Sequence, residues 1–356
     1  MPDPRDARPA HPGSEARQPL LVHCRPGFES DCAAELGARA TAAGSAGFAR
    51  AVPDAAWLSF EADAGFAPGW LELCFARELW PVHAVLDGLP ERDRVGAIIE
   101  ALPDGCAALG GVRLEHPDTN AGKELSAFCR KFLAPLERAL KARRIALDAP
   151  GAPRLHLFFT DSRHARLGLA DAARSAPWPM GIPRLRFPRG APSRSTLKLE
   201  EAFLTLLDEP ERAAWLAPGG SAVDLGAAPG GWTWQLVQRG LRVAAIDNAA
   251  LDPSLLESGL VQHLREDGFR YRPRAPVDWL VCDMVEQPQR IAALVSEWLA
   301  RGDARRALFN LKLPMKQRWR ALDGCLATLR ARLPGATLRA KHLYHDREEV
   351  TVFAAP

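Results

Sequence analysis

A glycine-rich segment follows a short apolar stretch in the C-terminal half of the chain, reading Ala-Val-Asp-Leu-Gly-Ala-Ala-Pro-Gly-Gly-Trp-Thr from Ala222. A strand ending at Asp224, a turn and a helix beginning near Trp232 are typical of the first βα turn of an open parallel sheet, where ligands bind. The glycines let a ligand approach the backbone closely. Neither GxGxxG nor the lysine of a phosphate loop is present, which favours a nucleoside over a dinucleotide or triphosphate. A tight turn that binds nothing is the alternative.

Three acidic residues follow the segment at positions that suit a ligand rim. Asp247 ends the next predicted strand, about 20 residues after the turn, where a carboxylate can accept hydrogen bonds from ribose hydroxyls. Asp267 lies in the predicted loop REDGFRY, where it could accept from an adenine amine. Asp283 ends the strand DWLVCDM. Each acid alone is more often a solvated loop residue or a helix cap, but three at successive strand ends favour a binding site.

The segment from Asp224 to Thr233 resembles the cofactor loop of RNA 2′-O-ribose methyltransferases of the FtsJ type. In that family a Lys-Asp-Lys-Glu tetrad surrounds the methyl-acceptor site, and the resemblance implies S-adenosylmethionine as cofactor and no metal. The positions that match the tetrad, in family order, are Lys198, Asp283, Lys312 and Glu349. The expected cofactor-binding residues are Ser195, Gly226, Ala228, Pro229, Gly230, Gly231, Asp247, Asp267 and Asp283. Ala228 departs from the family pattern, which has cysteine there.

Four further segments resemble one branch, the large-subunit ribosomal RNA methyltransferase M family. They are FNLKLPMK from Phe309, LYHDREEVTV from Leu343, HPDTNAGKEL from His116 and PGFE from Pro26. The resemblance implies a ferredoxin-like segment, a THUMP RNA-binding domain and a methyltransferase domain. It also implies 2′-O-methylation of one cytidine of 23S ribosomal RNA, with 23S rRNA or a large-subunit precursor as the partner.

Methyl transfer from a sulfonium is a direct displacement, so alignment of the 2′-oxygen with the methyl group is the main catalytic requirement. A ribose hydroxyl is a weak acid, and a base within hydrogen-bond reach would assist the reaction. We expect Lys312, at the end of a predicted strand, to be that base. A lysine accepts a proton only in its neutral form, and Lys198 and the two carboxylates act on its charge in opposite directions. A positioning role for a charged Lys312 therefore stays open.

Alternating short strands and helices predict four regions. Residues 1–18 form a disordered tail, 19–174 an α+β ferredoxin-like and THUMP region, 175–195 a Pro/Arg-rich linker, and 196–356 a Rossmann-like α/β methyltransferase domain. Two β-hairpins are predicted, one from RLHLFFT and HARLGLA and the other from TLRAKHLY and EEVTVFAA. No strand is predicted between RVAAIDN and DWLVCDM.

Composition is compatible with this interpretation. The net charge of +3 permits an anionic partner, and basic residues cluster at two places. One is the linker, with Arg184, Arg186, Arg189 and Arg194; the other is a long predicted helix with Lys123, Arg130, Lys131, Arg138, Lys141, Arg143 and Arg144.

Seven cysteines without a CxxC pair indicate neither a disulfide framework nor a zinc site. With no apolar signal or membrane-spanning segment, we expect a cytoplasmic monomer or weak dimer that does not bind membranes. The alternatives in function are a 2′-O-methyltransferase of another structured RNA and a non-catalytic RNA-binding assembly factor for the ribosome.

Overall fold

A computed structural model describes residues 17–63 and 65–356. The predicted tail at 1–18 lies outside the described residues except for its last two, and Gln18 already begins a strand. The first sheet contains β1 (Gln18–His23), β2 (Gly47–Ala51), β3 (Trp57–Ala62) and β4 (Glu78–Pro81), with helix α1 (Glu29–Ala42). The strand order is β2-β3-β1-β4, and every neighbouring pair is antiparallel. Helix α1 buries Cys32, Leu36 and Ala40, whose spacing of four residues forms one helix face.

The second sheet has the order β5-β8-β7-β6. Its elements are β5 (Ala84–Leu86), α2 (Arg94–Glu100), β6 (Val112–Glu115), α3 (Gly122–Ala142), β7 (Arg154–Phe159) and β8 (Ala165–Ala170). Strands β7 and β8 pair in antiparallel fashion, which confirms the predicted hairpin, whereas β6 and β7 are parallel. Strands β2 and β6 were not predicted, because each is short and neither carries a long apolar run.

The Pro/Arg-rich segment 175–195 forms no strand and no α-helix, as its proline density predicts. Its first part is nevertheless anchored rather than free. Arg113 donates hydrogen bonds to the carbonyl oxygens of Ala176 and Trp178, and the Met180 amide donates to the buried carboxylate of Glu115. The segment is therefore tied to the second sheet before it reaches the third.

The third sheet has seven strands in the order β11-β10-β9-β12-β13-β15-β14. Its elements are α4 (Thr196–Leu206), α5 (Glu209–Trp215), β9 (Ser221–Leu225), α6 (Gly231–Val237), β10 (Arg242–Ile246), α7 (Pro253–Glu257), β11 (Val261–Leu264), β12 (Trp279–Cys282), α8 (Pro288–Ala300), β13 (Ala307–Lys312), α9 (Arg318–Arg332), β14 (Thr337–Lys341) and β15 (Glu349–Ala355). Strands β9 to β13 run parallel, and β14 and β15 form the predicted antiparallel hairpin. The strand order reverses between β9 and β12, so the carboxyl ends of these strands form the topological switch point where such sheets bind ligands.

The prediction that no strand separates β10 from β12 is wrong, because β11 pairs with β10 at the edge of the sheet. It has only four residues and none is fully buried, so its hydrophobic signal is weak. Within the described residues, no helix is both long and apolar enough to cross a membrane.

The first and third sheets share one hydrophobic core, although they lie at opposite ends of the described chain. Leu36 of α1 and Leu322 of α9 belong to the same buried cluster. At its edge the ammonium group of Lys341 donates to the carbonyl oxygens of Trp70 and Ala76. The first sheet is therefore packed directly on the third, a relation that the order of elements along the chain does not reveal.

Candidate active site

A cavity of about 500 Å³ opens at the carboxyl ends of β9, β10 and β12. It is lined by Gly226, Ala228, Ile246, Asp247, Asn248, Glu266, Asp267, Gly268, Phe269, Asp283, Met284, Val285 and Glu286. Gly226 has a φ of 77°, and a Cβ there would lie 2.8 Å from the Met284 side chain. Only glycine therefore allows the turn to pass this close to the segment after β12.

The three predicted acids, Asp247, Asp267 and Asp283, all line this cavity. The Asp247 carboxylate also fastens the glycine turn, because it accepts hydrogen bonds from the backbone amide of Ala228 at 3.0 Å and from that of Ala249 at 2.8 Å. The Asp267 carboxylate accepts from the Phe269 amide at 2.8 Å. Since an ionised carboxylate has about four lone-pair sites, both acids retain acceptor capacity for a ligand.

Four other predicted cofactor residues, Ser195, Pro229, Gly230 and Gly231, do not line the cavity. Gly231 and Ser195 are instead closely packed, since a Cβ on Gly231 would lie 2.2 Å from the Ser195 hydroxyl oxygen. This contact joins the start of α6 to the start of α4. The cofactor roles of these four residues stay predictions, and their observed contacts position the loop.

The four tetrad residues converge on one point beside the cavity. Lys198 lies in the first turn of α4, Asp283 follows β12, Lys312 ends β13 and Glu349 begins β15. The Lys198 ammonium is hydrogen-bonded to Glu349 and lies 3.6 Å from Asp283. The Lys312 ammonium is hydrogen-bonded to Asp283 and lies 4.0 Å from Glu349. The result is a ring in which two lysines alternate with two acidic side chains.

Strand register explains half of this arrangement. Lys312 and Glu349 are directly opposite each other in the antiparallel β13–β15 ladder, and opposite side chains project on the same face.

Burial alone would lower the pKa of Lys198, but the charge of Asp283 and the hydrogen bond to Glu349 outweigh it and raise the pKa. Lys198 is therefore a permanently charged partner at neutral pH.

Asp224 lies beneath the glycine turn and is fully buried. One of its carboxyl oxygens accepts a hydrogen bond from the Thr233 hydroxyl at 2.6 Å, while the other has no partner among the described residues. Burial raises the pKa of Asp224 to about 7, more than the Thr233 hydrogen bond lowers it. The side chain joins the end of β9 to α6 from below the cavity.

Sequence reasoning missed a second layer of buried polar residues behind the tetrad. Asn310 donates to Asp283 at 2.8 Å, and Thr351 donates to Asn310 at 2.7 Å. The sequence could have indicated both residues, because Asn310 and Thr351 each lie two residues from a tetrad member along a strand. Side chains two residues apart in a strand project from the same face of the sheet. Polar residues at these core positions need partners, which here are each other.

The residues of the two basic clusters are exposed in the structure. This holds for the four linker arginines, for the five basic residues of the second cluster that lie in α3, and for Arg143 and Arg144, which follow the helix. Arg184 also lies 3.5 Å from Asp118 and donates a long hydrogen bond to the Tyr344 hydroxyl at 3.4 Å. His345 contacts the buried Glu201 at 2.6 Å, and this contact holds the histidine in the turn between β14 and β15.

The chain matches three families of known proteins. Residues 18–77 match the RlmM ferredoxin-like domain, residues 93–171 match the N-terminal region of ribosomal RNA large subunit methyltransferase M, and residues 191–306 match FtsJ-like methyltransferases. Among curated relatives, the ribosomal RNA large subunit methyltransferase M of Alkalilimnicola ehrlichii is 59% identical over 94% of this chain and 93% of its own length. The protein of the same name from Thauera aminoaromatica is 51% identical over 94% and 95%. A solved structure, the fibrillarin pre-rRNA processing protein of Methanococcus jannaschii, aligns at 14% identity over 55% of this chain and 80% of that chain with a TM-score of 0.35.

Proposed function

The chain belongs to the family of ribosomal RNA large subunit methyltransferase M, and on that premise we propose that it methylates the 2′-hydroxyl of one cytidine in 23S ribosomal RNA. It is a methyltransferase of ribosomal RNA, and its methyl donor is S-adenosylmethionine. The observation that carries the finer proposal is the alternating Lys-Asp-Lys-Glu ring at the switch point of the third sheet, with a nucleoside-sized cavity beside it.

The residues that line the cavity suit S-adenosylmethionine. A volume of about 500 Å³ lies within the range of small-molecule sites. Asp247, at the end of β10, is placed to accept from ribose hydroxyls, and Asp267 from the adenine amine. Phe269 and Ile246 offer apolar surface for the purine ring. Asp283 lines the cavity and is also hydrogen-bonded to Lys312, so it connects the cofactor site to the acceptor site.

S-adenosylmethionine supplies an electrophilic methyl group when bound, so the chain's own task is to hold the ribose hydroxyl in line with it. Asp283 and Glu349 each hold a lysine by an ion pair, and these pairs keep both lysine side chains directed into the site. We propose that Lys312 reacts as the neutral amine: it accepts the hydroxyl proton as the oxygen attacks, and Asp283 then stabilises the ammonium group that forms. The competing role is that Lys312 keeps its proton and orients the hydroxyl by donating a hydrogen bond.

RNA would approach over the four exposed arginines of the segment 175–195, which leads directly into α4 and Lys198. Three large apolar side chains are exposed on the segments that follow Asp283 and Lys312 or precede α4: Val285 is 91% exposed, Met315 81% and Phe187 49%. Single-stranded RNA is bound through bases that pack on such surfaces and through phosphates that pair with arginine. We therefore propose that the N-terminal region and this segment together bind rRNA. We also propose a cytoplasmic location, because ribosomal RNA is the substrate.

Lys312→Ala tests the assignment of the acceptor site. We expect single-turnover methyl transfer to 23S rRNA to fall roughly 10²–10⁴-fold, the contribution of a general base. Binding of S-adenosylmethionine should change little, because Lys312 does not line the cofactor cavity. Lys316→Ala is the matched control, since it removes an exposed lysine four residues away that takes part in none of the tetrad contacts.

Lys312→Arg separates the two roles. Arginine keeps its proton and its larger fork would misplace the ribose, so this variant should be as inactive as Lys312→Ala. A fully active arginine variant would exclude proton abstraction by this residue. A fully active alanine variant would contradict its place in the catalytic site. Mapping of 2′-O-methyl groups in rRNA from cells with and without the gene identifies the nucleotide, and loss of methylation only in another RNA would overturn 23S rRNA as the substrate.

A further inference from the structure

A continuous chain of buried hydrogen bonds leads from the tetrad into the core of the third sheet. Asn310 donates from its side-chain nitrogen to Asp283 at 2.8 Å, and its amide oxygen lies 2.7 Å from the Thr351 hydroxyl. That hydroxyl lies 3.1 and 3.3 Å from the two carboxyl oxygens of Asp346. Asn310 and Thr351 are fully buried and Asp346 is 1% exposed. Asn310 and Thr351 are direct partners in the β13–β15 ladder.

The donor and acceptor atoms of these side chains determine the direction of each hydrogen bond. The Asp283 carboxylate can only accept hydrogen bonds, so the side-chain atom of Asn310 that faces it must be the nitrogen and not the oxygen. The amide oxygen is then left facing Thr351, and because an amide oxygen only accepts, the single hydroxyl proton of Thr351 must point to Asn310. Thr351 consequently has no proton left to donate to Asp346.

The contact between Thr351 and Asp346 therefore requires a proton on Asp346. One carboxyl oxygen of Asp346 accepts from the Leu343 amide at 3.0 Å, which leaves the other free to carry the proton. Glu349, Glu201 and Lys198 are the charged groups that act on Asp346. Burial raises the pKa of Asp346 well above its usual value, the carboxylates of Glu349 and Glu201 raise it further, and Lys198 only partly offsets them.

We propose that Asp346, Thr351 and Asn310 form a positioning relay in which a protonated Asp346 donates to Thr351, Thr351 donates to Asn310, and Asn310 donates to Asp283. The proposal rests on the proposed methyl-transfer function of the tetrad. The relay holds the Asp283 carboxylate in the orientation that pairs with Lys312. A neutral Asp346 also leaves Glu349 as the carboxylate partner of Lys198, whereas an ionised Asp346 would compete for Lys198.

Thr351→Val and Thr351→Ser form a matched pair of variants that isolates the hydroxyl. Valine has the shape of threonine without the hydroxyl, and serine keeps the hydroxyl. Loss of one buried hydrogen bond corresponds to about a tenfold change in rate. We expect about a tenfold lower single-turnover rate for Thr351→Val, a rate within about twofold of wild type for Thr351→Ser, and unchanged affinity for S-adenosylmethionine in both.

A second readout does not depend on activity. The chain contains only three asparagines, and Asn120 and Asn248 are exposed whereas Asn310 is buried. Protein labelled with ¹⁵N at asparagine therefore shows three side-chain amide pairs, of which the Asn310 pair disappears in Asn310→Ala. We expect those protons to exchange slowly with solvent in wild type and in Thr351→Ser, and faster in Thr351→Val.

Asp346→Asn tests the protonation state in the relay. A carboxamide can donate to Thr351 and accept from the Leu343 amide, as a protonated carboxyl group does. We expect near wild-type activity for Asp346→Asn and about tenfold loss for Asp346→Ala. Equal loss in both variants would show that Asp346 acts as a carboxylate and would overturn the direction of the relay.

Two further results would overturn the relay itself: equal rates for Thr351→Val and wild type, or Asn310 amide protons that exchange as fast as those of Asn120. The result that would contradict the proposed function differs from these two. In that case wild-type protein would not methylate 23S rRNA, while slow Asn310 exchange and its loss in Thr351→Val would still support the relay.

Discussion

Replacing Asp224 by asparagine should remove a pH-dependent cost from the folded protein. Asp224 is fully buried, and within the part of the chain that the structure describes only one of its carboxyl oxygens has a hydrogen-bond partner, the Thr233 hydroxyl. Burial raises the pKa of this carboxyl from 3.8 to about 7, with a contribution from the nearby charge of Asp283. Asparagine keeps an acceptor for Thr233 and cannot ionise.

The direction of this pH dependence is set by the difference in proton binding between the folded and the unfolded protein. Between about pH 4 and pH 7 the folded protein holds a proton on Asp224 that the unfolded chain has already lost. The stabilisation by this protonated carboxyl is therefore fully present below about pH 4 and is lost as pH rises through 7. Since one pKa unit corresponds to about 1.4 kcal/mol, the difference in free energy of unfolding between Asp224→Asn and wild type should widen by up to about 4 kcal/mol across this window.

Urea unfolding of both proteins at half-unit intervals from pH 3 to pH 8 measures this difference. Asp278→Asn is an instructive control because the shift there has the opposite sign. Burial would raise the pKa of Asp278, but hydrogen bonds from Ser221 outweigh it and lower the pKa. Asp278→Asn should lose stability relative to wild type as pH rises through the usual range of aspartate. A pH-independent difference for Asp224→Asn would refute the assignment of a protonated buried carboxyl.

Two other variants test the cofactor loop and the RNA surface. Gly230→Val should abolish S-adenosylmethionine binding in calorimetry, because Gly230 has a φ of 115° and a Cβ there would lie 2.1 Å from Leu255, which displaces the loop; unchanged affinity in a folded variant would remove this turn from the site. Arg186→Ala combined with Arg189→Ala should weaken rRNA binding and reduce the slope of log affinity against log salt by about 1–2, since each phosphate contact in single-stranded RNA contributes about 0.7. An unchanged salt slope would show that these exposed arginines do not contact phosphates.

Local pattern was sufficient to predict much of the molecule. The strand-glycine-helix order around Gly226, the two hairpins and the acids at strand ends could all be predicted, because backbone conformation and side-chain periodicity are local properties. Resemblance to a known family supplied the tetrad in its order along the chain, and the structure brings all four residues together. Strand β11 could not be predicted, since a four-residue edge strand without a buried face leaves little hydrophobic signal.

Other features depend on contacts between residues far apart in the chain. Lys198 and Glu349 are separated by 151 residues, and only the position of β15 between β13 and β14 brings them into contact. The shared core of the first and third sheets, and the burial of Lys341 between them, likewise depend on packing. The same holds for the relay behind Asp283: the sequence contains Asn310, Thr351 and Asp346 as ordinary polar residues, and strand register makes them mutual hydrogen-bond partners. Side-chain types are set by the sequence, whereas burial, which decides their charge and their partners, exists only after the sheets have packed.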